Sequence, residues 1–309
     1  MGQTFRDVTI FPPGLANFLN VASFGAVDGR GDLVKLGPML ISSRAHRWYQ
    51  RSVAPVQVSE KLDSCIWVGT FYCHFGHFIT ETLPRLLSIR RALDANPQAR
   101  ILGFASPGLG GSDRPFPTHV TWFCQKLGID LSRLDILHTP ALVAHLTIPP
   151  VPFSARFSYA PPLRDLILQS GLPNMRTTNE RLFLTRRNLS ANATRIHNIA
   201  EIEDLYSKAG YTILAPENLP LEEQIARITG AKVISGENGS ALHWSLFAPE
   251  MTEVQSLGWD LALQKGICNL WGQTYSPLKS AIFGRIKGRR QTVPTGVVKR
   301  HLDRSVAQH

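Results

Sequence analysis

Short apolar runs and amphipathic stretches alternate along the second half of the chain. Four apolar runs have the length of buried strands: 181–185, 211–215, 231–236 and 252–257. Between them, apolar residues recur at helical spacing over 199–210 and 219–231, and 239–247 begins a further helix. Short apolar runs favour strands, while a period near 3.6 residues favours helices. Repeated strand–helix units of this length predict an α/β domain with a parallel, doubly wound sheet.

The first half of the chain follows the same scheme with less regularity. The pattern predicts strands at 64–69, 100–105 and 142–148, and helices at 77–93 and 119–128. Residues 148–162 contain five prolines, and proline can continue neither a helix nor a central strand, so this segment predicts an interdomain linker. A helix then begins at Pro162 and ends at Gly171. The sequence therefore predicts two α/β domains, 1–160 and 161–280, followed by a basic tail, 281–309.

The composition is that of a packed globular protein with an uneven charge. Apolar residues make up 43% of the chain, and the four cysteines form no disulfide framework, so we expect reduced thiols and a cytoplasmic enzyme. The net charge is +10, and residues 281–309 carry seven basic residues against one acidic residue. Such a tail suits an anionic surface such as lipid headgroups or nucleic acid, and a solvated, partly disordered tail is the alternative. Of the anionic surfaces, we expect peripheral contact with the inner face of a membrane. Because no recognisable RNA- or DNA-binding module occurs, no nucleic acid partner is expected.

A histidine, a carboxylate and a guanidinium recur every four residues after the first predicted strand. His77, Glu81 and Arg85 would share one face of a helix that begins near His77. At a strand-to-helix turn these groups could serve as a base, a residue that orients it and an anion clamp. In the structural alternative, Glu81 pairs with Arg85 and His77 caps the helix. Cys73 and His74 next to His77 raise the idea of zinc, but no fourth ligand is evident and no metal site is predicted.

A glycine-rich turn follows the third predicted strand of the second half. Gly236 ends the strand, Glu237 and Asn238 follow, and Gly239 and Ser240 begin a helix. Glycine lets the backbone approach a ligand closely, and the free N–H groups at a helix start attract phosphate. Ligands of open α/β sheets bind at this carboxyl end of the strands. The turn is therefore a candidate diphosphate site; a tight turn that needs glycine for its geometry alone is the alternative.

Arginines and asparagines cluster after the first predicted strand of the second half. Arg186, Arg187 and Arg195 lie close together in sequence, and Asn198 accompanies them. Arginine forks match the oxygens of a diphosphate, whereas a solvated basic loop is the alternative. The chain has no Asp-x-Asp motif, so a transferase built on it would neutralise a leaving diphosphate with arginines and helix N-termini. Two separate features thus predict anion binding at strand ends.

In this order, the three motifs resemble those of glycosyltransferase family 61, several members of which are bacterial polysaccharide-biosynthesis proteins. The resemblance runs through 76–86 and 181–249 and is strongest over 180–258. The family's His-x3-Asp/Glu pair falls on His77 and Glu81.

The rest of the family pattern also has counterparts here. Its strand-end arginine falls on Arg186, its Arg-x-x-Asn on Arg195 and Asn198, and its Gly-x-His-Gly-Ala/Ser loop on Gly236, Asn238, Gly239 and Ser240. Two positions depart from the pattern. The usual loop histidine is Asn238, which can still donate to a phosphate or ribose but carries no charge. An asparagine commonly found five residues after the loop glycine is Trp244.

The resemblance implies a GT-B fold, in which two Rossmann-like doubly wound domains face a cleft, and inversion at the anomeric carbon. It also implies a nucleotide-sugar donor, often a UDP-sugar, and a glycan or lipid-linked acceptor in polysaccharide biosynthesis, for example of a capsule. No cofactor is predicted. Glu81 is then the expected general base, with His77 as its orienter or substitute, while Arg85 and the residues after the two strand ends bind substrate. The alternatives are a GT-B-like polysaccharide pyruvyl transferase and a non-catalytic basic protein that binds nucleic acid.

Overall fold

A computed structural model describes the chain over 2–14, 23–36, 49–50, 57–105, 115–154, 158–172, 178–189, 196–258, 261–278 and 292–307. The chain divides into two compact units, Met1–Leu166 and Ile167–His309, which we call the first and the second unit. Each unit has its own sheet with helices between the strands, so the predicted α/β class is confirmed. Within the described ranges, no helix is long and apolar enough to cross a bilayer.

The first unit is built on a seven-stranded sheet with the order β3-β2-β1-β7-β4-β5-β6. Its strands are β1 (Gln3–Gly14), β2 (Ser23–Val27), β3 (Tyr49–Gln50), β4 (Glu60–Phe71), β5 (Arg100–Ala105), β6 (Leu134–Leu137) and β7 (Ala141–Ile148). Its helices are α1 (Phe75–His77), a π-helix (Phe78–Thr82), α2 (Leu83–Ala95), α3 (Thr118–Lys126) and a 3₁₀ helix (Leu131–Arg133). Helix α4 (Pro162–Gln169) contains the boundary between the two units. The predicted strands at 64–69, 100–105 and 142–148 are confirmed as β4, β5 and β7. The four strands β7, β4, β5 and β6 run parallel.

Strand β1 makes this sheet mixed rather than purely parallel. It runs antiparallel to both β2 and β7, so the prediction of a doubly wound parallel sheet was wrong for this edge. The sequence pattern did not predict β1, because its side chains do not alternate strictly. Asp7 adopts a φ of 52°, and Phe5 and Val8, three residues apart, both pack against the core. The two-residue alternation that marks a half-buried strand is lost at that point.

The second unit carries a five-stranded, entirely parallel sheet with the order β11-β10-β12-β13-β14. Its strands are β10 (Arg181–Leu184), β11 (Thr212–Leu214), β12 (Val233–Glu237), β13 (Glu253–Leu257) and β14 (Thr274–Leu278). Its helices are α5 (Ile199–Lys208), α6 (Leu221–Gly230), α7 (Ala262–Trp271), α8 (Thr295–Ala307) and two 3₁₀ helices, Pro216–Asn218 and Ser240–Phe247. The four predicted strands of this half are confirmed. The strand order reverses between β10 and β12, and ligands of doubly wound sheets bind at this switch point.

The last part of the predicted basic tail belongs to the core of the second unit. Val293, Val298 and Leu302 are buried in one cluster with Ile202 and Tyr206 of α5. Burial of Val298 and Leu302 holds α8, and burial of Val293 holds the segment before it, against the domain, so residues 292–303 are not a solvated tail. The basic residues at 285, 287, 289 and 290 lie outside the described residues.

The proline-rich segment predicted as a linker packs onto the first unit instead. It forms a two-stranded hairpin of β8 (Phe153–Ser154) and β9 (Ser158–Tyr159). Phe153 and Tyr159 are buried, with 3% and 8% of their surface exposed. The prolines prevent helix and central-strand formation as expected, but they do not prevent the aromatic side chains from being buried.

Candidate active site

The first candidate cluster follows the carboxyl end of β4. The chain leaves β4 through Tyr72 and turns into α1, and Thr82 closes this turn. The Thr82 hydroxyl accepts the backbone N–H of Tyr72 at 2.9 Å and lies 3.3 Å from its carbonyl oxygen. The turn therefore holds the residues that follow β4 at the edge of the parallel strands where ligands usually bind.

Glu81 lies on the π-helical turn that interrupts the predicted helix. The backbone N–H of Leu83 donates to the carbonyl of Phe78, five residues back instead of four. Pro84 gives a physical reason, because it has no N–H to donate to the carbonyl of Thr80. Such single π-turns are rare and occur frequently at functional sites. The predicted helix at 77–93 is thus confirmed, with a π-turn at the position of the candidate carboxylate, Glu81.

The structure brings His77 and Glu81 together. Nδ1 of His77 lies 2.6 Å from Oε1 of Glu81, and the exposed fractions of the two side chains are 34% and 4%. The carboxylate therefore lies behind the imidazole, which faces outward. Tyr72 stacks on the His77 ring with 5.0 Å between ring centroids, and His74 meets it edge-on at 5.8 Å. His77 makes no side-chain capping hydrogen bond, so the predicted capping role is not observed.

Arg85 lies in the interior rather than at a surface that could clamp an anion. Only 6% of its surface is exposed, and its guanidinium sits 4.8 Å from the centroid of the Phe153 ring. Gly69 makes room for it: with φ at 84°, a Cβ there would lie 2.8 Å from the Arg85 guanidinium carbon. Burial lowers the pKa of Arg85 to about 10, which leaves it charged at neutral pH.

Burial raises the pKa of Glu81 above its ordinary value. The hydrogen bond and charge of His77, and then the charge of Arg85, act in the opposite direction. A buried carboxylate that accepts a hydrogen bond and lies near the charge of Arg85 can remain ionised and fix the tautomer of the imidazole in front of it. With the proton on Nδ1, Nε2 of His77 is left to accept a proton from a substrate.

His119 was not singled out by the sequence, yet it lies beside this cluster. Its Nε2 lies 2.9 Å from the carbonyl oxygen of Cys73, and burial lowers its pKa. No motif contains it, since it comes from α3. Over the described ranges, no three histidine, cysteine or acidic side chains converge on a point that could hold a metal ion.

The second candidate cluster lies at the switch point of the second unit. Arg186 follows the carboxyl end of β10 and Gly239 follows that of β12, and these strands are direct neighbours. The Arg186 guanidinium is pressed against Gly239, where a Cβ would overlap its Nη1 atom. The two motifs that sequence analysis found 53 residues apart therefore meet in one place.

Arg187 is held by a carboxylate that sequence analysis missed. Oε2 of Glu203 lies 2.9 Å from Nη1 of Arg187, and the Thr185 hydroxyl donates to the other oxygen of the same carboxylate. Glu203 is 5% exposed and interrupts the apolar stripe of α5, which is the signal that could have revealed it. Arg187 therefore braces the loop that carries Arg186.

The turn after β12 is tightly packed. A Cβ at Gly236 would lie 2.7 Å from the carbonyl oxygen of Leu184, so glycine allows β10 and β12 to approach. Glu237 and Asn238 are both buried. Ser240, which begins the 3₁₀ helix, is half-buried, so access from solvent is at this end of the turn.

The model of the family Glycosyltransferase 61 matches residues 75–255, more than half of the chain. The chain belongs to glycosyltransferase family 61. The matched region contains both the His77–Glu81 pair and the Arg186–Gly239 contact. Membership in family 61 means a glycosyltransferase domain that takes a donor and an acceptor. A search of curated proteins found no match to the chain.

The two departures from the family 61 pattern are both buried. Trp244 is 1% exposed and packs in the core, 6.0 Å from the Phe247 ring centroid. Asn238 donates its backbone N–H to the carbonyl of Leu257 at 3.1 Å, and its side chain packs against Gly258. The substitution at position 244 thus serves packing.

One described residue of the predicted substrate set, Asn198, bonds elsewhere than at the switch point. Arg195, also of that set, lies outside the described residues. Asn198 bonds the segment before α8. Its Nδ2 donates to the Val293 carbonyl, and its Oδ1 accepts the Val293 N–H, each at 2.9 Å. This pair of bonds gives Asn198 a structural task that the spacing did not suggest.

Proposed function

We propose that this protein transfers a sugar, with inversion, from a UDP-linked nucleotide-sugar to a glycan or lipid-linked acceptor in polysaccharide biosynthesis. The observation that carries the proposal is the Arg186 guanidinium lying on Gly239 between the carboxyl ends of β10 and β12. At this switch point, a guanidinium lies beside a glycine backbone that has no side chain to block a ligand. Both groups can bind the oxygens of a diphosphate.

The diphosphate is assigned to Arg186, Gly239 and Ser240. Arg186 supplies charge-assisted donors, and the start of the 3₁₀ helix at Ser240 supplies backbone N–H groups that no earlier helical carbonyl takes up. As the bond to the sugar breaks, negative charge grows on the leaving oxygen, and these donors stabilise it. In this proposal they do so without a metal ion.

The base is assigned to His77, with Glu81 behind it. Sequence reasoning placed Glu81 first, but the geometry favours the other order, because the imidazole is partly exposed and the carboxylate is buried. The acceptor hydroxyl gives its proton to Nε2 of His77 while its oxygen bonds to the anomeric carbon. The bond from that carbon to the diphosphate breaks, and its electron pair leaves with the diphosphate. In this proposal the base comes from the first unit, and the residues assigned to the diphosphate come from the second unit.

UDP-sugars are expected to stabilise the protein against heating. A ligand at a hundred times its dissociation constant adds about 2.7 kcal/mol to the free energy of unfolding, enough to raise the Tm by a few degrees. The measurement is a thermal-shift series with UDP, UDP-sugars, phosphoenolpyruvate and oligonucleotides. A response to phosphoenolpyruvate alone would replace the proposal by pyruvyl transfer, and a salt-dependent response to oligonucleotides alone would replace it by nucleic acid binding.

The proposal includes peripheral attachment at the inner face of an anionic membrane. The double substitution Lys299→Glu and Arg300→Glu is expected to weaken binding to anionic vesicles about tenfold or more, since each basic residue near such a surface contributes about 1 kcal/mol. Both side chains are exposed on α8. Deleting the helix would be a poor test, because it also removes the buried Val298 and Leu302.

The matched control for this experiment is Arg6→Glu with Lys61→Glu. Both residues are exposed in the first unit, so the net charge changes equally without touching α8. Co-sedimentation with phosphatidylserine vesicles measures the difference. Equal binding by the two double variants would remove the membrane contact of α8 from the proposal.

A further inference from the structure

The turn that carries Glu81 lacks one backbone hydrogen-bond donor, because residue 84 is proline. The carbonyl of Thr80 would accept the N–H of residue 84 in an α-helix, but Pro84 has none. Thr80 is 1% exposed, so bulk water cannot satisfy that carbonyl. A buried carbonyl without a donor costs free energy, and the residue next to it in sequence is Glu81.

A phenol from the proline-rich segment supplies a donor. The hydroxyl of Tyr159 donates to the carbonyl of Thr80 at 2.9 Å, and the contact is buried. Burial, and next the charge of Glu81, raises the pKa of Tyr159, so the phenol keeps its proton and remains a donor. The two residues are 79 positions apart in sequence.

The hairpin that carries Tyr159 grips the helix at a second point. Phe153 pairs with Tyr159 across the hairpin, and their rings meet edge to face at 6.3 Å. The Arg85 guanidinium also lies over the Phe153 ring, 4.8 Å from the ring centroid. Thr80 and Arg85 lie on either side of Glu81 in the sequence, so the hairpin fixes the helix before and after the carboxylate.

We propose that Tyr159 is a positioning residue that sets the π-turn and thereby the hydrogen bond between Glu81 and His77. The proposal rests on the proposed function for its kinetic consequences, but its structural part concerns the pair alone. Without the phenol hydroxyl, the turn loses the bond that satisfies the Thr80 carbonyl. Its alternative hydrogen-bonding arrangements would rotate Glu81 away from Nδ1 of His77.

The test is Tyr159→Phe, which keeps the buried ring and removes only the hydroxyl. We expect kcat to fall about tenfold to a hundredfold, since a base with a mobile orienter spends less time in the productive geometry. KM for the UDP-sugar should change less than twofold. Phe153→Leu, which loosens the hairpin but keeps the hydroxyl, should give a smaller fall in kcat.

A second readout does not depend on activity. The Nδ1–H proton of His77 should give a low-field resonance in the proton NMR spectrum, assigned by its loss in His77→Gln. This resonance should weaken or disappear in Tyr159→Phe. Tyr206→Phe is the control, because it removes a buried hydroxyl in the core of the second unit and should leave the resonance unchanged.

The outcomes separate the two proposals. Loss of the resonance together with a lower kcat supports the positioning role. An unchanged resonance in Tyr159→Phe overturns it, whatever happens to kcat. If the wild-type protein transfers no sugar but its resonance is lost in the variant, the positioning role stands and the proposed function fails.

Discussion

Replacing His77 by glutamine is expected to lower the rate of sugar transfer by about 10²–10⁴-fold, the usual contribution of a general base. Glutamine has nearly the same reach but cannot accept a proton at neutral pH. Binding of the donor should persist, because the residues assigned to the diphosphate belong to the second unit. Steady-state kinetics with a UDP-sugar, and calorimetric titration with UDP, measure the two effects separately.

Glu81→Gln should lower the transfer rate by a similar factor, since the amide no longer fixes the imidazole tautomer or stabilises its charged form. The matched control is His74→Gln, which removes a neighbouring imidazole but leaves the hydrogen bond between His77 and Glu81 in place. Full activity in His77→Gln would remove this residue from the mechanism. Full activity in Glu81→Gln, with activity lost in His77→Gln, would keep His77 as the base but show that Glu81 is not needed to orient it.

The same substitution has a pH signature in stability. Because burial raises the pKa of Glu81, the folded protein holds this proton more tightly than the unfolded chain does. The contribution of this carboxyl to the free energy of unfolding therefore falls as the pH rises from its ordinary pKa to the raised one. Glu81→Gln should lack that fall, so it should be no less stable than the wild type at neutral pH although its transfer rate is lower.

Gly239→Ala should weaken donor binding about 10–150-fold. The new Cβ would overlap Nη1 of Arg186, so the guanidinium must leave the position that the diphosphate needs, with the loss of about 1.5–3 kcal/mol typical of a hydrogen bond to a charged group. The φ of 162° at Gly239 is extended backbone, which alanine adopts without strain. The effect therefore comes from displacement of Arg186, and titration with UDP measures it.

A double-mutant cycle makes this prediction sharp. Arg186→Ala should weaken binding by a similar factor, and the combination with Gly239→Ala should be scarcely worse than either change, because both remove the same interaction. Gly296→Ala on α8 is the control, since its nearest neighbouring atom would be 3.8 Å away. Additive effects of the two substitutions would show that Gly239 acts independently of Arg186.

Sequence periodicity predicted β10 to β13 of the second unit, but not β14, α7 or α8. The predicted strands are short apolar runs bounded by glycine or polar residues, and α5 and α6 have clear apolar stripes, so local pattern and tertiary structure agree there. The histidine–glutamate pair also followed from spacing, because residues four apart on a helix lie on the same face. Periodicity failed for β1, where the left-handed Asp7 breaks the alternation.

The roles of the candidate residues depended on contacts between distant segments. Which member of the His77–Glu81 pair faces outward is set by burial, and Arg85 turned inward because Gly69 and Phe153 provide its place. Asn198 bonds to Val293 and not to the turn after β12. Arg186 contacts Gly239 only because β10 and β12 are neighbours in the sheet. The sequence alone determined the α/β class, four of the five strands of the second unit and the chemical groups available. Only the tertiary structure decided which groups meet and which are exposed, because burial and long-range contacts are properties of the packed chain and leave no local period.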